Sequence, residues 1–148
     1  MSGYFSEITK NWRPLLGAFI GMACGMSMVG TITSTLVPSI LAETQWSTSE
    51  FAKIGGLAIF MALVFPFIGR LTDVLGVKLT ALIGQSTLPL IYIAYSRMDG
   101  DIGTYKLIFI IQSLVCVTTT ATVYSRLAVQ YVEKARGLAL AIVVSGPA

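Results

Sequence analysis

Of the 148 residues, 55% are hydrophobic and 11% are charged, far from the roughly 25% charged residues of soluble domains. The net charge of +3 needs no nucleic-acid partner to explain it, and with no histidine in the chain, His-based acid and base chemistry and His-rich metal sites are excluded. Uncharged runs at 14–42, 54–69, 79–96 and 107–125, with a fifth starting at 137, define the organisation. A helix needs about 20 mostly apolar residues to cross a bilayer core, so four runs qualify, the second with Lys53 snorkelling to the surface. The chain reads as an all-α polytopic membrane protein.

Residues 1–13 form a cytoplasmic N-terminus. The first run is too long for the apolar core of a signal peptide and reads as a retained span over about 14–41. Within it Gly17, Gly21 and Gly25 recur every four residues, a small-residue stripe suited to close helix packing. Ser27, Thr31 and Ser34 fall on one narrow polar stripe at 100° per residue, continued by Pro38. Then comes "WSTSE" at 46–50, where Ser47 and Glu50 have capping-box spacing and Trp46 is an aromatic interface anchor. A second span over about 50–70 follows.

"GRLTDVLGVK", residues 69–78, is a very short charged turn into a third span over about 78–96, and so tight a connection makes the two neighbours. Pro66 and Pro89 each remove one backbone hydrogen bond, giving places to bend. Asp73 is expected to cap the third helix or meet a neighbouring helix N-terminus, with Arg70, Lys78 or Arg136 as its charge partners. "RMDGDIG" at 97–103 is a polar glycine-bearing reversal. The fourth span, about 104–131, carries Gln112, Thr119 and Arg126 at seven-residue spacing, with Thr122 beside them. Polar groups in a bilayer face a bundle interior or a cavity, so these residues and the stripe of the first span are candidates for lining a solute path. Arg126 has two readings: a bidentate anion ligand or a side chain that snorkels to the headgroups. Cys24 and Cys116 lie inside spans without a CxxC pattern and read as packing residues.

Placing the N-terminus inside puts Lys10, Arg13, Arg70, Lys78, Arg126, Lys134 and Arg136 on the inner side, against Lys53, Arg97 and Lys106 outside, as the positive-inside rule requires. No carboxylate lies deep in a span and no phosphate-binding Gly-rich loop with Lys is present, so neither an intramembrane enzyme nor an ATP-driven pump is expected, and no cofactor or metal is implied.

"GRLTDVLGVK" resembles the signature loop of the major facilitator superfamily, Gly-x-Leu-Ala-Asp-Arg-x-Gly-Arg-Lys, between its second and third helices. Gly69, Leu71, Asp73, Gly76 and Lys78 match, whereas Thr72, Val74 and Val77 depart. "YSRLAVQYVEKARGLALAIVVSGPA", 124–148, resembles the passage from helix four into helix five in the monocarboxylate-porter-like branch, and "QWSTSE" resembles the start of helix two in bacterial members. The resemblance implies a secondary active transporter moving a small solute, with an organic anion or monocarboxylate as candidate, by alternating access in a bacterial inner (plasma) membrane. Its gating loop would comprise Gly69, Arg70, Asp73, Gly76, Lys78 and Arg136, closing against a second, C-terminal half. The chain would be an N-terminal fragment: residues 14–148 would be part of the first six-helix half, with an incomplete fifth span at 137–148. The alternative is a small integral membrane subunit or assembly factor without transport of its own.

Overall fold

The computed structural model describes residues 2–146, without the side-chain surroundings of residues 2, 3, 60 and 61. Every regular element among them is helical: α1 (Ser2–Lys10), α2 (Trp12–Ala23), α3 (Met26–Thr44), α4 (Thr48–Gly56), a 3-10 turn (Leu57–Phe60), α5 (Met61–Leu75), α6 (Val77–Ser96), α7 (Ile102–Val117), α8 (Ala121–Tyr131) and α9 (Arg136–Val144). Residues 147 and 148, the tip of the expected fifth span, lie outside the described residues.

Three helical stretches are long and apolar enough to cross a membrane: Trp12–Thr44, Val77–Ser96 and Ile102–Tyr131. The expected second span is instead a pair, Thr48–Ile59 and Ala62–Leu75, bent by 43°. That bend falls at the 3-10 turn, ahead of Pro66, while α6 runs through Pro89 from Val77 to Ser96. Pro89 therefore marks no sharp break, whereas the bend ends at Ala62, the residue whose carbonyl Pro66 leaves without a donor. The cytoplasmic N-terminus expected at 1–13 contains a helix of its own, which the sequence reading left undrawn.

Two long helices are interrupted instead. α2 gives way to α3 at Cys24 and Gly25, and α7 to α8 at Thr118–Thr120. At the second break the three threonine hydroxyls donate to the carbonyls of Val115, Cys116 and Val117, at 2.7, 2.9 and 2.9 Å. Such back-bonding bends helices and satisfies the hydroxyls without water. The two breaks touch: a Cβ on Gly25 would lie 2.7 Å from Thr119 O. Gly21 is likewise closed over by Tyr124, whose ring would be 2.5 Å from an added Cβ, and Gly84 of α6 sits against Thr118 and Thr119. Lipid tails are as apolar as leucine, so helix association here rests on close packing, and these three glycines permit it.

Around this crossing lies the main core, formed by Leu15, Ala18, Ala81, Val123, Tyr124, Ala128, Val132, Ala135, Ala139 and Val143. It joins α2, α6, α8 and α9 at the end of the bundle that carries the amino terminus. The opposite end is held by aromatic rings, with Tyr105 contacting Trp46, Phe51 and Tyr95 at centroid distances of 5.3, 5.7 and 5.1 Å. Trp46 is thus engaged with a ring of the fourth stretch in addition to its place at a helix start. Between the two ends α3 stands apart, with no buried residue along its length.

Candidate functional site

α5 stops at Leu75 and α6 starts at Val77, so a single residue makes the turn. Gly76 has φ 83° and ψ 149°, a region open almost only to glycine. Its carbonyl accepts from Thr80 N (3.2 Å) and Thr80 Oγ1 (3.1 Å), and its N–H donates to Thr72 O (3.0 Å). Thr72 and Thr80, 2% and 1% exposed, anchor both sides of the turn. The Thr72 hydroxyl itself donates to Ile68 O at 2.7 Å.

Asp73 occupies the last turn of α5, and its carboxylate is paired with the guanidinium of Arg126 from α8. The same Arg126 Nη1 reaches Gly69 O at 3.4 Å. Gly69, Asp73 and Arg126 therefore form one clasp between the turn and the end of the fourth stretch. This corrects the expected pairing. Asp73 does not cap α6, whose N-cap Gly76 has no side-chain cap, and it pairs with none of Arg70, Lys78 and Arg136. Arg70 and Lys78 are exposed, and Arg136 Nε donates to Val132 O at 3.3 Å at the start of α9. An aspartate in the last turn of a helix opposes the helix dipole, and the guanidinium offsets that disadvantage.

The expected solute-path residues are not brought onto one surface. Ser27, Thr31 and Ser34 are exposed on α3; Thr31 donates to Ser27 O, and Ser34 to Gly30 O and Thr31 O. Gln112 and Thr119 are buried, 3% and 1% exposed. Gln112 Oε1 accepts from Tyr95 of α6 at 3.0 Å, and Thr119 lies in the glycine crossing. Thr122 and Arg126 are exposed on α8 and line a crevice of only about 10 Å³ with Phe65 and Gly69. The break at Thr118–Thr120 resets the helical phase between Gln112 and Arg126, so seven-residue spacing no longer places them on one face.

A second polar feature escaped the sequence reading. Glu7 of α1 accepts from three successive backbone N–H groups that lead into α9: Oε1 from Glu133 (2.8 Å), Oε2 from Lys134 (2.9 Å) and Ala135 (3.0 Å). Those N–H groups, Glu133's first, hold the carboxyl below its ordinary range against a smaller opposing effect of desolvation. A lone glutamate in a polar terminus gives no periodic signal. At the opposite end Asp101 caps α7 through Thr104 N at 2.7 Å, which lowers its pKa in the same way, and Ser47 with Glu50 forms the expected capping box on α4.

Compared with family models, curated proteins and solved structures, the chain matches none.

Proposed function

We propose that the chain is part of the N-terminal half of a major facilitator secondary transporter, moving a small solute by alternating access, with an organic anion such as a monocarboxylate as the candidate. On this reading the bent pair α4–α5 is one span, giving four with a fifth begun at α9. The N-terminus is cytoplasmic in a bacterial inner membrane, and a C-terminal half completes the path. The observation that carries the proposal is the Asp73–Arg126 clasp beside the one-residue turn at Gly76.

An ion pair with its side chains 43% and 66% exposed is worth about 0–1 kcal/mol. That suits a latch opened and closed in each cycle, since a two-state element is biased by energies of this size. Arg126 then acts in the gate with Gly69, Asp73 and Gly76; Arg70, Lys78 and Arg136 supply surrounding positive charge. Ser27, Thr31 and Ser34 on exposed α3 are the remaining candidates for contact with solute or with the second half.

The test is uptake of radiolabelled lactate and pyruvate by membranes containing the protein together with its C-terminal half. Asp73→Asn and Arg126→Gln should each cut uptake at equal protein abundance, and the exchange Asp73→Arg with Arg126→Asp should restore part of it. If Arg126→Gln abolishes uptake, Asp73→Asn does not, and the exchange fails, Arg126 is a solute ligand and the clasp reading falls. A protein that moves neither probe, yet co-purifies stoichiometrically with another membrane protein, would favour the subunit or assembly-factor reading. α3, which has no fully buried residue, is the feature consistent with that alternative.

A further inference from the structure

A cavity of about 400 Å³ opens between α2, α6 and α8 at the end of the bundle that carries the amino terminus. Its walls are mainly apolar, with Gly17, Ala81, Leu82 and Leu127 among them, and Arg13 and Lys78 are its two cations. A second cavity of about 360 Å³ adjoins it, sharing Lys78, Leu82, Leu127 and Tyr131. Gly17 helps to make the space, since a Cβ there would meet nothing within 4 Å.

Both cations stand in the first turns of their helices, α2 and α6, and so at the same end of the bundle. Among the described residues the one ion pair is Asp73–Arg126, so neither Arg13 nor Lys78 has a carboxylate partner. Arg13 lies over the Trp12 ring, 5.7 Å from its centroid. Tyr124 also lines the cavity, 2% exposed. The Gln85 amide on the same wall donates to Gly21 O at 2.7 Å, and the phenol oxygen has no hydrogen-bond partner of normal geometry. Two unpaired cations over an apolar groove at one end of a membrane bundle, with an unsatisfied hydroxyl within, match an amphiphile with an anionic head. Basic pockets between membrane helices bind anionic lipid headgroups for this reason.

We propose that this groove seats one anionic phospholipid, its phosphate held by Arg13 and Lys78 and an acyl chain lying along Gly17, Ala81 and Leu82. The site rests on the membrane placement of the chain; Lys78 also stands beside the gate, but lipid preference and uptake are read in separate assays, so the two readings fail separately.

The test uses the Trp46→Phe protein in phosphatidylcholine nanodiscs, where Trp12 is the remaining tryptophan and sits beside Arg13. Brominated phosphatidylglycerol should quench Trp12 at a several-fold lower mole fraction than brominated phosphatidylcholine. Arg13→Gln and Lys78→Gln, both at exposed positions, should each weaken that preference about fivefold. Gly17→Leu should fill the groove and remove the preference with both cations in place. Equal quenching by the two lipids, or a preference untouched by Gly17→Leu, would overturn the site. Competition by inorganic phosphate alone to the same extent would make it an anion site without a lipid. A photo-crosslinker at Leu82 that joins a polypeptide in place of lipid would make the groove a helix seat, and the proposal would likewise fail.

Discussion

Glu7 and Ala135, 128 positions apart, are joined by a 3.0 Å hydrogen bond from the Ala135 amide to the Glu7 carboxylate. With the neighbouring amides of Glu133 and Lys134 it ties α1 to the entry of α9. Unsatisfied N–H groups at a helix start favour a negative charge, and a side chain remote in sequence supplies it.

Removing that charge should lower thermal stability. Glu7→Gln, which keeps a single acceptor oxygen, should reduce the Tm at pH 7 less than Glu7→Ala. The folded pKa is depressed from 4.5, so the carboxylate's contribution is present above 4.5 and is lost as pH falls through the lower folded value. The Tm difference between the native protein and Glu7→Gln should therefore shrink between pH 5 and pH 3; a gap constant across that range would place the effect elsewhere.

The glycines of the first long stretch should separate by position. Gly25→Ala would push a methyl against backbone, with Thr119 O at 2.7 Å, and overpacking of this kind costs about 1–3 kcal/mol. Gly17→Ala, with open space around it, should leave stability unchanged or raised. Urea or sodium dodecyl sulfate titration of the two variants measures the difference, and equal midpoints would remove the crossing from the account.

At Gly76 the backbone itself sets the demand. Its φ of 83° with ψ of 149° should make Gly76→Ala cost about 1–3 kcal/mol despite the absence of any atom within 4 Å of an added Cβ. A variant as stable as the parent would mean that the turn re-forms with another geometry.

For the clasp, a double-mutant cycle with Asp73→Asn and Arg126→Gln should give a coupling energy in stability of no more than about 1 kcal/mol, as exposed ion pairs do. A coupling of several kcal/mol would make the pair a structural fastener and weaken its reading as a gate.

Hydropathy made the three long apolar stretches legible, because a bilayer demands continuous apolar length, and local chemistry made the cap at Ser47 legible in the same way, whereas 97–103 was legible only as a reversal and not as the Asp101 cap of α7. The charged turn was placed correctly, but the partner of its aspartate was not. Arg70 and Lys78 are near in sequence, whereas Arg126 comes close only when α8 packs beside α5, a relation without local signal. The Gln112–Arg126 stripe assumed one unbroken helix. Three consecutive threonines that bond back to their own carbonyls were the available warning. Gly21 and Gly25 were recognisable as close-packing positions, but Gly84 stands alone in its helix and gave no repeat to find.

The clamp at Glu7 also carries information about time. Residue 7 is synthesised among the first of the chain, yet its amide donors follow 126 to 128 positions later. At about 5–20 residues per second of translation the carboxylate waits roughly 6–25 s. Throughout that interval α2 also lacks α8 and α9, which supply Val123, Ala128, Ala139 and Val143 to its core. The core around α2 is therefore completed late, and α1 can dock only when the turn before α9 has been made.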